Sequence, residues 1–91
     1  MGEYNAMQKD VLSRLVTANQ RGVTALALSD LIMLLKSKRG NNLKPCYVKN
    51  ACQVLLEEGL LLHKFLVYES FYSLSSKGIN TALSLRQEPS I

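Results

Sequence analysis

Ninety-one residues with 47% apolar and 20% charged side chains suit one globular domain and exclude a disordered chain. Asp30, Lys36, Glu57 and His63 interrupt the longest apolar stretches, so none reaches the length of a membrane span. Glu3 and Asp10 leave no room for a signal-peptide block, and an intracellular location (cytoplasm or nucleoid, or the host cytoplasm for a viral chain) is expected. The formal net charge of +4 is unevenly placed: Lys36, Lys38, Arg39, Lys44 and Lys49 fall within fourteen residues free of Asp and Glu, whereas the rest carries six cations against seven acids. Such a local basic stretch attracts a polyanion.

The first helix is predicted over about residues 6–18, where Met7, Val11, Leu12 and Leu15 recur at helical spacing. Asn5 is its N-cap, with Gln8 at the capping-box position, and Arg21-Gly22 ends it. Val23, Thr24 and Ala25 read as a short strand. The second helix is expected to begin after a Ser29 cap, with Leu28 and Met33 as a hydrophobic staple. Leu31, Ile32, Leu34 and Leu35 supply its buried side, and Arg39-Gly40-Asn41-Asn42 is a strong loop signal.

The third helix is predicted from Pro45, favoured at a first helical position because its missing N–H would be unpaired anyway. Gly59 closes it. Val48, Ala51, Cys52 and Leu55 line one face, and Cys46, Lys49, Asn50 and Gln53 the other. The period then changes: residues 60–67 read as a strand, 68–70 as a turn and 71–74 as the return strand. A last helix follows, capped by Ser75 or Ser76, with Ile79, Ala82 and Leu83 inward and Pro89 beyond it. The expected class is α+β and mostly helical: one domain spanning 1–91, with its core over about 6–85 and a tail at 86–91.

Two segments carry a family resemblance. Leu55-Leu56-Glu57-Glu58-Gly59-Leu60-Leu61-Leu62-His63 resembles the L-E-x-x-G-L-I-x-R of winged-helix regulators of the MarR, PadR and ArsR kind. Tyr72-Ser73-Leu74-Ser75-Ser76-Lys77-Gly78 resembles their Y-x-L-T-x-x-G. Eight residues separate the two, as a short wing requires. The resemblance implies a winged helix-turn-helix with the third helix, about Pro45–Glu58, in the major groove of double-stranded DNA. It also implies a homodimer joined through its first and last helices, acting as a sequence-specific transcriptional regulator.

On this reading Lys49, Asn50 and Gln53 are candidates for base contacts, since Asn and Gln pair bidentately with adenine and Lys reaches guanine acceptors. Lys36, Lys38, Arg39, Lys44 and Tyr47 are candidates for phosphate contacts, which position the protein without choosing sequence. Gly40, Asn41 and Asn42 can bring backbone N–H groups to the phosphates as well. His63 and Lys64 are candidate wing contacts. The wing departs from the family pattern: residues 65–70 are apolar and lightly acidic where Gly and Arg are usual, and His63 stands where Arg is common. The alternative function is therefore a winged-helix protein-interaction module using the hydrophobic hairpin, and the hairpin is a second candidate for the dimer contact.

The other chemistry is sparse. Cys46 and Cys52 lie about 9 Å apart along one helix and lean to different faces, so they do not bridge each other. Cys46, near a helix N-terminus and several lysines, is a candidate for redox control or an intermolecular disulfide, and Cys52 is expected in the core. No Cys/His spacing suits zinc, and no metal or cofactor is expected. His63 has no nucleophile or carboxylate partner in sight, and neither a G-x-S-x-G elbow nor a phosphate-binding glycine loop occurs, so no enzyme activity is expected.

Overall fold

A computed structural model describes residues 4–40 and 42–87 of the chain. The order is α1 (Ala6–Gln20), β1 (Leu26–Ala27), α2 (Leu28–Arg39), α3 (Pro45–Glu57), β2 (Leu61–Leu66), β3 (Glu69–Leu74) and α4 (Ser76–Gln87). The strands form one antiparallel sheet in the order β1-β3-β2, so the wing hairpin is joined to the helical body through β1. This is the winged-helix arrangement.

Helix α1 starts at the predicted capping box: Asn5 Oδ1 accepts from the Gln8 N–H at 2.8 Å, and Gln8 Oε1 accepts from the Asn5 N–H at 3.0 Å. It runs two residues past the predicted end and stops at Gly22, whose φ of +90° suits a residue without Cβ. Its stripe of Val11, Leu12, Leu15 and Val16 lies at the centre of the core, packed by Leu31 and Leu35 of α2, Val48, Ala51, Cys52 and Leu55 of α3, and Ala82 of α4.

The second helix differs from expectation at its start. The Val23 N–H bonds the Ala18 carbonyl at 2.9 Å, so Val23 belongs to the closing turn of α1 and its N–H is not available to the sheet. The strand is therefore displaced to Leu26–Ala27, where Leu26 pairs with Tyr72 and Ala27 with Phe71. Helix α2 follows directly, and Ala27 occupies the N-cap without a side-chain bond. Ser29 lies inside the helix, and its hydroxyl donates to Glu69 Oε1 at 3.1 Å, tying α2 to the wing. The proposed staple is absent: Leu28 is helical and Met33 is exposed. Leu34 is also exposed, leaving Leu31 and Leu35 as the buried ridge with Ile32 beside it.

Helix α3 begins at Pro45 as predicted. Its end is a Schellman motif: the Leu60 N–H reaches the Leu55 carbonyl at 3.0 Å and the Gly59 N–H the Leu56 carbonyl at 3.1 Å. Gly59 sits at φ +80°, and Leu55 and Leu60, the apolar pair that accompanies this cap, are both fully buried.

The hairpin turn is one residue earlier than predicted. Leu66 pairs with Glu69, so the two-residue loop is Val67-Tyr68, at φ +47° and +65°. A tight hairpin needs two left-handed residues to match strand twist, a role usually filled by Asn-Gly. Here a β-branched residue and an aromatic fill it, at a cost of about 1–3 kcal/mol each. Glu69 and Ser70 consequently belong to β3. Helix α4 is capped by Ser75, whose Oγ accepts from the Gly78 N–H at 3.0 Å. Ala82 is buried, with Ile79 and Leu83 half-buried beside it, and the helix continues to Gln87. Pro89 lies outside the described residues.

Candidate nucleic-acid interface

Helix α3 buries Val48, Ala51, Cys52 and Leu55, so its other side is open. At 100° per residue, Cys46, Asn50, Gln53 and Glu57 form the row directly opposite the core, and all four are exposed. Lys49, also exposed, lies on one flank of that row. Tyr47 and Val54 lie on the other, beside a groove of about 240 Å³ that runs between α3 and the start of α1 and is also lined by Asn50. The three base-contact candidates are thus brought to one surface, with Asn50 and Gln53 central and Lys49 lateral.

Two acids that the sequence reading left aside shape this surface. Glu57 closes the central row, and its Oε2 accepts from Gln53 Nε2 at 3.2 Å. The i, i+4 spacing of these two residues was a local signal for that bond. Lys38 Nζ sits 2.9 Å from Asp10 Oδ1 of α1, so one member of the basic stretch is tied to the domain body. Nothing local foretells this pair, because twenty-eight residues separate its partners.

The remaining cations of the stretch lie at the two ends of the α2–α3 connection. Lys44 is at its N-cap, 6.0 Å from the centre of the Tyr47 ring. Lys36 is exposed on the last turn of α2, and Gly40 ends that helix at φ +95°. The Arg39 side chain and Asn41 lie outside the described residues. Leu43 is buried and anchors the loop between α2 and α3. His63 and Lys64 are exposed on β2, and the His63 ring lies 5.1 Å from that of buried Tyr72.

The two thiols divide as expected. Cys46 is exposed, and Cys52 is buried, its pKa pushed up to about 12 by that burial. Burial likewise raises the Tyr72 phenol, with the neighbouring Cys52 adding to the shift and a bond to Ser70 opposing it. Tyr4 is raised by burial and by the charge of Glu58, to which its hydroxyl is bonded. Among the described residues no group of three His, Cys, Asp or Glu side chains gathers to hold a metal, and no helix is long and apolar enough to cross a membrane.

The motifs that carry the resemblance meet in space at the base of the wing. Ser75 Oγ donates to the Gly59 carbonyl at 2.6 Å, and the Ser75 N–H to the Leu60 carbonyl at 3.0 Å. Lys77 Nζ donates to the Glu58 carbonyl at 3.2 Å. This joint fixes the angle between α3, the hairpin and α4.

The chain thus has the winged-helix fold, as its two motifs implied. H. salinarum RosR superposes with a TM-score of 0.79 over 93% of this chain and 73% of that one, at 19% identity. A variant of Lactococcus lactis ZitR gives 0.72 over 93% of this chain and 52% of that one, at 17% identity. SSV1 F-93 gives 0.70 over 93% and 87%, at 20% identity. No family model and no curated protein sequence matches the chain.

Proposed function

We propose that the chain is a DNA-binding transcription regulator that lays α3 in the major groove of double-stranded DNA. The observation that carries this reading is the open side of α3, where Asn50, Gln53 and Lys49 stand together next to the cations of the α2–α3 turn. In this reading Lys49, Asn50 and Gln53 contact bases and Lys36, Arg39, Lys44 and Tyr47 hold phosphates, while Lys38, paired with Asp10, adds to the field rather than holding a phosphate itself. The similarity to RosR, ZitR and F-93 supports the reading through the shared fold. The regulator works inside the cell as a homodimer, without enzymatic activity, and presents one α3 to each half-site.

The test is fluorescence anisotropy with duplex DNA selected from a random pool, at low and high salt. Binding that weakens with salt at a log–log slope of about −3 to −5 per protomer is expected, one unit for each cation near phosphate. Lys49→Ala and Asn50→Ala should each weaken selected over mixed-sequence DNA by ~1–3 kcal/mol. Unchanged affinity in both variants would refute the role of α3. Absence of salt-sensitive binding to any duplex would favour the second reading, a protein-interaction module. That reading is favoured by the exposed apolar tip of the hairpin.

A further inference from the structure

We infer that two copies of this chain join through the free edge of β2, pairing antiparallel about a two-fold axis to make one continuous six-stranded sheet. The inference rests on the homodimer reading above and replaces the terminal helices as the contact.

The first observation is where apolar surface remains. Ten large apolar side chains are exposed among the described residues, and none belongs to α1 or α4. Their large apolar side chains are buried or half-buried, Ile79 and Leu83 among the half-buried. Five of the ten fall between positions 62 and 68: Leu62, Phe65, Leu66, Val67 and Tyr68, the last two 88% and 93% exposed. Leu62 and Leu66 stand on one face of the hairpin, Phe65 on the other, and Val67 and Tyr68 at its tip, so apolar surface flanks the β2 edge on both sides. A standard interface takes ~800 Å² from each partner, and a copy paired along the edge covers the flanking parts of these side chains as well as the backbone.

The second observation is the backbone. In an antiparallel pair, alternate residues turn both main-chain groups toward the partner strand. The Ser75 N–H bonds the Leu60 carbonyl, and the β2–β3 register continues from that pair through Leu62–Ser73 to Lys64–Phe71 and Leu66–Glu69. The even-numbered residues of β2 therefore bond β3. The N–H and C=O groups of His63 and Phe65 point away from it, toward an edge that no other strand of the sheet covers. Proteins usually blunt such an edge with proline, a bulge or charged side chains, lysine above all. In LLHKFL, Lys64 is the one such device, and the rest of the strand is apolar apart from His63.

The occupant follows from symmetry. An antiparallel edge is complementary to itself, so a second copy satisfies every free donor and acceptor with an identical one, as an isologous two-fold contact requires. Charge selects the register. Centring the pair on Lys64 would set two ammonium groups side by side, which is unfavourable. Centring it on His63 sets Lys64 across from Leu62, which its aliphatic stem can cover, and Leu61 across from Phe65, so that residues 61–65 pair with the same segment of the copy. The strained turn points the same way. Val67 and Tyr68 hold left-handed backbone that Asn-Gly would hold without strain, and such strain marks side chains retained for contact.

The test is sedimentation equilibrium of the whole chain and of Phe65→Pro, with circular dichroism as the check on folding. Proline removes an N–H that faces the free edge and leaves the β2–β3 ladder intact. The expected result is twice the 10.1 kDa protomer mass for the wild type and the single mass for the folded variant. If Phe65→Pro does not fold, Phe65→Lys asks the same question by charging the edge. A wild type that stays at the single mass overturns both the homodimer reading and this inference. A folded variant that stays at twice the mass overturns this inference alone and returns the contact to another face. Anisotropy on the same variants keeps the DNA reading separate, since salt-sensitive binding by a monomeric variant leaves the role of α3 standing.

Discussion

Gly78 packs against the backbone of Leu60 so closely that a Cβ added to it would overlap the Leu60 carbonyl oxygen and lie 2.9 Å from its carbonyl carbon. The same carbonyl accepts the Ser75 N–H, and Ser75 Oγ reaches the neighbouring Gly59 carbonyl. The start of α4 is thereby pressed onto the end of α3. The spacing between the two motifs has a physical basis: one provides the carbonyls left over at a Schellman end, and the other provides the hydroxyl and the missing side chain that let a helix meet them.

Gly78→Ala should therefore destabilise the fold by about 3 kcal/mol or more, because the obstacle is backbone and cannot swing aside. Ser75→Ala should cost ~1–2 kcal/mol by removing a helix cap and a cross-element hydrogen bond together. Urea unfolding followed by circular dichroism gives both values. A Gly78→Ala midpoint equal to that of the wild type would contradict the close approach.

The hairpin turn supplies a prediction of opposite sign. Replacing Val67-Tyr68 by Asn-Gly relieves two left-handed bulky residues and should raise stability by ~1–2 kcal/mol. The same double variant removes the apolar tip, so its self-association should weaken. A thermal melt on dilute protein reads the first effect, and sedimentation the second. A lower melting temperature would show that the turn is not strained.

These cases also show what sequence alone could tell. Helix α3 was legible because Pro45 and Gly59 act through single-residue backbone rules, and its faces because Val48, Ala51, Cys52 and Leu55 repeat at 3.6 residues. The capping box of α1 was legible for the same local reason. The start of α2 was not: Ser29 looks like a cap, yet its hydroxyl is drawn to Glu69, forty residues away. The turn is not legible either: Tyr68-Glu69-Ser70 has more turn-like composition than Val67-Tyr68, and only the strand register decides between them. At the proposed site, exposure of Lys49, Asn50 and Gln53 followed from the helix period. The ion pair of Lys38 with Asp10 depends on how α1 packs against α2, which no local pattern encodes.

Burial of Cys52 makes stability depend on alkaline pH. Its pKa rises from 9.0 to about 12 in the fold, so the folded state retains a proton that the unfolded chain releases. The stabilisation is complete below pH 9 and is lost progressively between pH 9 and 12. The slope contributed should be on the order of 1 kcal/mol per pH unit, and Cys52→Val should flatten the curve. Tyr72 and Tyr4, both raised, add in the same direction. Urea midpoints at several pH values between 8 and 11 test this. A thiol titration complements it, with Cys46 expected to react in the native protein and Cys52 only on unfolding.

The Lys38–Asp10 pair allows the charge on the proposed interface to be changed without altering the interface itself. Lys38 keeps about half of its side chain in solvent, so the pair adds at most ~1 kcal/mol to stability. Its larger effect is on the field: the Asp10 carboxylate offsets one of the cations of the basic stretch. Asp10→Asn should raise affinity for mixed-sequence duplex and steepen the log–log salt dependence by up to about one unit. Lys38→Gln should change both quantities less than Lys44→Gln, because Lys38 is already engaged and Lys44 stands at the start of α3. Anisotropy at a series of salt concentrations gives the three slopes. Equal effects from Lys38→Gln and Lys44→Gln would mean that the ion pair opens when DNA binds, and that both lysines reach phosphate.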